Sequence, residues 1–142
     1  MTTSVGAGII LCRLTNQTIE FLLLRGTETN IWSFSKGHPE RCDQFELQRT
    51  AIRETKEETG LIAEQDYTIV AGPLRFGKRP YWIGILTNNN IAIRLSPREH
   101  NAAQWFSHQD IQKLSCNADV RVWFRKTACQ LSSFWKILQC YL

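Results

Sequence analysis

Short apolar runs interrupted by two helical stretches predict an α/β domain with helices packed against a sheet. Three observations carry that class: paired apolar runs at the start, a capped amphipathic stretch in the middle, and apolar residues at helical spacing toward the end. At 142 residues and 43% hydrophobic, the chain has the size of one domain, 1–142, with its own core.

The elements follow in order. "SVGAGIILCRL" and "TIEFLLLRG", separated by the turn-prone "TNQ", read as paired strands. "DQFELQRTAIRETKEETG" starts with Asp43 and has Glu46 three residues later as a capping box, and Gly60 stops it, which predicts a helix near 44–59. "YTIVAG", "RPYWIGILT" and "AAQWFS" read as further strands. In the second of these Tyr81 and Trp82 are neighbours, so they point to opposite faces, with Trp82 toward the core. "SHQDIQKL" opens on Ser107 as an N-cap and predicts a short helix. From Ala118 onward Val120, Trp123, Phe124, Leu131, Trp135 and Leu138 recur as on one helix face, which predicts a terminal helix.

Composition excludes several classes. No apolar run approaches the roughly 20 residues that span a bilayer, and "MTTSVGAGII" lacks the basic region and long apolar run of a signal peptide. A soluble, cytoplasmic protein without a membrane partner is the expectation. Five cysteines, an odd number with no C-x-x-C pair, argue against a disulfide framework and a zinc site. A net charge of +4 suits an anionic partner such as phosphate or nucleic acid, but so mild an excess does not decide it.

"RETKEETG" places three glutamates in five positions of the predicted helix. At about 100° per residue, Glu57 lies about 60° to one side of Glu54 and Glu58 about 40° to the other, so all three share a face. Like charges one turn apart repel, and Arg53 paired with Glu57 relieves part of that. A divalent cation, which binds hard oxygen ligands, would relieve far more. Taken alone, the cluster reads first as a solvated acidic face.

The residues around the cluster reverse that reading. "GHPERCDQFELQRTAIRETKEETGL", Gly37 to Leu61, resembles the signature of the Nudix hydrolase family: Gly, five residues, Glu, seven residues, then Arg-Glu-U-X-Glu-Glu-X-Gly-U with U aliphatic. Arg53, Glu54, Glu57, Glu58, Gly60 and Leu61 match, and Gly37 supplies the opening glycine. Fifteen residues separate Gly37 from Arg53 where thirteen are usual, so the loop is two residues longer. Counting forward puts Asp43 at the first glutamate and counting back puts Phe45 there; Asp43 and Glu46 are the candidates to stand in. Thr55 occupies the U position, where its methyl still packs inward.

The resemblance implies a Nudix-type α/β/α sandwich with a mixed sheet between helices. It implies a metal-dependent hydrolase that cleaves a pyrophosphate bond in a nucleoside diphosphate linked to another group, with Mg²⁺ or Mn²⁺ as cofactor. By the same resemblance the metal ligands are the Gly37 carbonyl, Glu54, Glu57 and Glu58, and Arg53 orients the carboxylates. Glu54 is the first candidate for general base and Glu99 the second.

"IEFLLLRG", "WSFSKGHPE", "AIRETKEETG" and "LSPREHNAAQW" are similar to the subfamily of asymmetrically cleaving diadenosine tetraphosphate hydrolases. That likeness implies a dinucleoside polyphosphate as substrate, faced by Lys36 and His38. Lys78, Arg79 and Tyr81 in "FGKRPYW" are candidates for further phosphate contacts and a stacking face. The chain departs from the subfamily at Ser35, where proline is usual, and at Ala103, where a base-stacking aromatic is usual.

Nudix hydrolases of capped RNA ends or of diphosphoinositol polyphosphates are the alternatives. An RNA substrate needs a basic track, for which Arg41, Arg98, Arg121, Arg125 and Lys126 are candidates. An alternative of another class is a non-catalytic Nudix module that binds a ligand or partner; such modules show gaps among the carboxylates, and all three are present here. Trp123, Phe124, Trp135 and Tyr141 read as core in preference to a partner face.

Overall fold

Two nine-residue apolar runs, β1 (Ala7–Thr15) and β2 (Thr18–Gly26), open the fold as antiparallel neighbours with Cys12 opposite Phe21. The computed structural model describes residues 5–16 and 18–128. The remaining elements are β3 (Trp32–Ser33), β4 (Ser35–Gly37), a 3₁₀ turn (Arg41–Asp43), α1 (Leu47–Thr59), β5 (Tyr67–Phe76), β6 (Arg79–Leu86), β7 (His100–Ser107), α2 (His108–Ile111) and α3 (Ala118–Ala128).

The strands form a single sheet in the order β3-β2-β1-β6-β5, with β4 paired to β1 and β7 to β2. β1 and β6 run parallel, with Gly8 opposite Tyr81, and the other pairings are antiparallel. The sheet is therefore mixed, as predicted. Alternation sends Ile10, Cys12, Phe21, Leu23, Ile83 and Ile85 to one face, against Ile111, Val120 and Trp123 of α2 and α3. It sends Ile9, Leu11, Leu22, Leu24 and Trp82 to the other, against Ala51 of α1. Helices on both faces explain why these strands read as nearly continuous apolar runs, and they make the α/β/α sandwich. Tyr81 and Trp82 do point to opposite faces, yet both are buried because both faces are covered.

The middle helix begins later than its sequence suggests. Gln44 and Phe45 have φ of 54° and 62°, a left-handed backbone that cannot start a right-handed helix. Asp43 thus closes the 3₁₀ turn instead of capping α1; the N-cap is Glu46, without a side-chain hydrogen bond. The other end is as predicted: Gly60 sits at φ 80° and its N–H donates to the Lys56 carbonyl at 2.8 Å.

β5 runs past the predicted end at Gly72 to Phe76, with register shifts on either side of Ala71. β3 and β4 are strands that the sequence pattern did not reveal. The terminal-helix positions Leu131, Trp135, Leu138 and Tyr141, with Cys129 and Cys140, lie outside the described residues. Cys12 and Cys116 are buried free thiols and Cys42 an exposed one. Among the described residues no helix is long and apolar enough to cross a membrane.

Gly60 and Phe45 adopt similar backbone with opposite side-chain demands, which urea denaturation can read. A Cβ at Gly60 would lie 3.2 Å from Arg94 Cβ, and Gly60→Ala should lower stability by about 1 kcal/mol. Phe45, 92% exposed, loses little on truncation, so Phe45→Gly should leave stability unchanged or raise it by up to about 1 kcal/mol. A neutral Gly60→Ala would overturn this account of the helix end.

Candidate active site

The site is built outward from Arg53. Its Nε donates to Asp43 Oδ1 at 2.9 Å and its Nη2 to Asp43 Oδ2 at 3.0 Å, a two-pronged charge-assisted pair. Nη2 also donates to the His38 carbonyl at 2.7 Å. Nη1 reaches Glu54 Oε1 at 3.0 Å and both Glu57 oxygens at 3.2 Å. Asp43 is buried and accepts further hydrogen bonds from Thr50 Oγ1 at 2.8 Å and Glu40 N–H at 2.9 Å. The hydrogen bonds from Arg53, foremost, hold its carboxyl well below the usual range.

Of the two acids the spacing left as stand-ins for the first signature glutamate, Asp43 is the one that meets Arg53. Glu46 is exposed and pairs with Arg49 at 3.1 Å. The two extra residues are then Gln44 and Phe45, bulged out in left-handed conformation, and Phe45 takes no part in the network.

The three glutamates separate. Glu54 lies against Gly37: a Cβ there would fall 2.0 Å from Glu54 Cδ, so only glycine permits the approach. Glu58 is 4% exposed. Its Oε1 accepts from Lys36 N–H at 2.9 Å and from the Ser35 hydroxyl at 3.0 Å, and Ser35 Oγ also lies 3.0 Å from Thr55 Oγ1, whose own hydroxyl can donate to it. The Ser35 and Thr55 departures therefore touch each other and the glutamate. Burial pushes the Glu58 carboxyl up to about 7 and also raises that of Glu54. Glu57 is exposed and held by Arg53.

A cavity of about 410 Å³ opens here, with Glu54, Glu58 and Glu99 among its walls together with Lys36, His38 and Arg79. His100 lines it too, buried, with Nε2 3.6 Å from Glu58 Oε2. The sequence reading passed over His100, although its signal stood in "REH". The structure places two other candidates outside this cavity. Lys78 is exposed in the β5–β6 turn and is not among the residues lining this cavity. Tyr81 is fully buried, edge-on to Phe34 at 5.5 Å, with its hydroxyl donating to Asp119, so it presents no stacking face. Of the basic-track candidates, Arg121 and Arg125 line a separate cavity against α3 with Ile111 and Phe124.

The donors suit a divalent cation. Glu58, Glu99 and His100 each offer a ligand atom within 4.8 Å of the others, and Glu58 keeps Oε2 free of strong donors while Oε1 is fixed. Burial lowers the His100 pKa, which favours the neutral imidazole that a metal requires. Carboxylate oxygens are ligands that a hard divalent cation takes, and the imidazole is a further donor open to a transition metal.

A mixed sheet between helices, with an acid-edged helix facing a glycine loop, defines the Nudix class of domain. The chain belongs to that family: residues 2–126 match the NUDIX domain model. It is 36% identical over 113 residues to the asymmetrical bis(5'-nucleosyl)-tetraphosphatase of Mus musculus, covering 72% of this chain and 74% of that one. Its fold resembles the crystal structure of a C. elegans Ap4A hydrolase binary complex, with a TM-score of 0.74 at 29% identity over 92% of this chain and 99% of that one. The NUDIX domain of Shewanella oneidensis NrtR, complexed with ADP ribose, shares the fold at 12% identity and a TM-score of 0.66, over 92% of this chain and 90% of that one.

Glu58 makes stability depend on pH. Its carboxyl titrates near 7 when folded against an ordinary 4.5. The metal-free protein therefore keeps its full Glu58 contribution below about pH 4.5 and loses it as pH rises through 7, on the order of 3 kcal/mol. Mg²⁺ or Mn²⁺ should restore stability above that range, because metal and proton compete for the carboxylate. Glu58→Gln should flatten the slope between about pH 4.5 and about pH 7 in urea titrations; an unchanged slope would reassign it to other groups.

Proposed function

We propose that the chain is a metal-dependent hydrolase of a pyrophosphate bond in a nucleoside polyphosphate, with a dinucleoside polyphosphate such as diadenosine tetraphosphate as the substrate. The supporting observation is that one cavity joins Glu54, Glu58 and Glu99 to Lys36, His38 and Arg79. A polyphosphate needs both: cations to hold its oxygens and carboxylates to act where one bond breaks. The relatives named for tetraphosphate cleavage favour the same substrate.

In this reading Gly37, Glu54, Glu57 and Glu58, with Glu99 and His100, would hold the divalent ion. When bound, Mg²⁺ or Mn²⁺ neutralises phosphate oxygens and acidifies water. Arg53 keeps Glu54 and Glu57 in place through the bonds already given. Glu54, whose pKa is raised by burial, takes the proton from the attacking water. The water oxygen bonds to phosphorus, the bridging P–O bond breaks, and its electron pair leaves on the terminal phosphate of the departing nucleotide. Lys36, His38 and Arg79 hold the remaining phosphates. An asymmetric cut of a tetraphosphate bridge yields a nucleoside triphosphate and a monophosphate.

The base is recognised weakly in this reading. Among the described residues lining the cavity there is no Phe, Tyr or Trp, Tyr81 is buried, and Ala103 packs toward the core. Since a lost base stack is worth about 1–3 kcal/mol, diadenosine and diguanosine tetraphosphates should be cleaved with kcat/KM values within about tenfold of each other.

Turnover should be measured with Mg²⁺ and with Mn²⁺ on diadenosine tetraphosphate, capped RNA, a diphosphoinositol polyphosphate and ADP-ribose. The proposal expects the first to lead. No metal-dependent turnover on any of them would favour a binding module, and preference for capped RNA would replace the substrate. Glu58→Gln should reduce kcat by about a hundredfold or more while the fold persists. Glu54→Gln and Glu99→Gln compared across pH identify the base: the correct variant loses the acid limb of the kcat profile.

A further inference from the structure

We infer that Asp119, on α3, is a positioning residue for this site, fixing Arg79 so that the cavity selects a long polyphosphate; the inference rests on the function proposed above. Asp119 Oδ2 accepts from Arg79 Nη1 at 3.0 Å and also from the Tyr81 hydroxyl. The Asp119 side chain is 5% exposed and that of Arg79 31%, so the carboxylate is anchored in protein while the guanidinium keeps donors toward the cavity it lines.

Three elements converge on this carboxylate. Tyr81 is packed fully inside β6. Gly77, in the turn before β6 with φ of 87°, leaves room for Oδ1, since a Cβ there would lie 2.9 Å from it. Asp119 itself sits in the first turn of α3, where the helix end favours negative charge. A free arginine side chain samples many rotamers, and ordering it during binding weakens affinity. Asp119 does that ordering in advance.

The strand order says which part of the substrate Arg79 meets. Lys36 is on β4 and Arg79 on β6, with β1 between them. α1, which carries Glu54 and Glu58, packs mainly against β1 and β4. Arg79 thus enters the cavity from the strand on the other side of β1 from β4, where α1 makes most of its contacts, and addresses phosphates away from the one being cut. A two-phosphate bridge gains less from it than a four-phosphate bridge.

Asp119→Asn, Arg79→Gln and the double variant test this by steady-state kinetics on diadenosine tetraphosphate and on ADP-ribose. Calorimetry of inorganic tripolyphosphate binding with Mg²⁺ runs in parallel. Asp119→Asn should raise KM for the tetraphosphate about tenfold, with a smaller effect on kcat and on ADP-ribose. Adding it to Arg79→Gln should change neither KM nor the tripolyphosphate Kd further. Additive effects, or equal losses on both substrates, would mean a merely structural Asp119 and overturn the inference. Wild-type binding of tripolyphosphate without turnover would defeat the proposed function alone, and the Kd of the same variants then decides the role of Asp119. Absence of both binding and turnover would defeat both.

Discussion

The site depends on one guanidinium meeting one buried carboxylate. Arg53 has a flat fork of donors, and Asp43 fills one side of it with both oxygens. That pairing closes the loop after Gly37 onto α1 and leaves Nη1 for Glu54 and Glu57. The repulsion among the glutamates is therefore met in two ways before any cation arrives: by Arg53 between Glu54 and Glu57, and by burial that favours the protonated form of Glu58. A lysine in place of Arg53 could not touch Asp43 twice and still reach the helix acids.

What the sequence could reveal was set by how local each signal is. The β1–β2 hairpin and the Gly60 stop are written in consecutive residues, and the structure has them where expected. β3 and β4, at two and three residues, are too short for any period to register. β5 outran its predicted end because a strand with shifted register tolerates Gly72 and Pro73 that a regular one would not. The early start assigned to α1 failed because Asp43 and Glu46 have capping-box spacing, while the left-handed pair between them leaves no trace in residue type.

Site residues follow the same division. Arg53, Glu54 and Glu58 are adjacent along one helix and were legible together. Asp119 meets its partners across about forty residues, and no spacing rule announces that. Tyr81 was misread because alternation says which face a strand residue takes and not whether that face is covered. Ser35, which looked like a loss, gives Glu58 a hydrogen bond that proline could not and meets the hydroxyl of Thr55. Its effect is to use up one oxygen of Glu58 and leave the other pointing at His100.

The bulge at Gln44 and Phe45 bears on how relatives of this chain are to be recognised. Because Gln44 and Phe45 lie between Asp43 and Glu46 in left-handed backbone, a signature that keeps Asp43 at the position facing Arg53 has to lengthen there. A pattern of rigid length slides past this chain or pairs its arginine with the wrong acid. The two residues are carried outward in left-handed backbone while the Asp43–Arg53 clasp holds the loop and the helix together on either side of them.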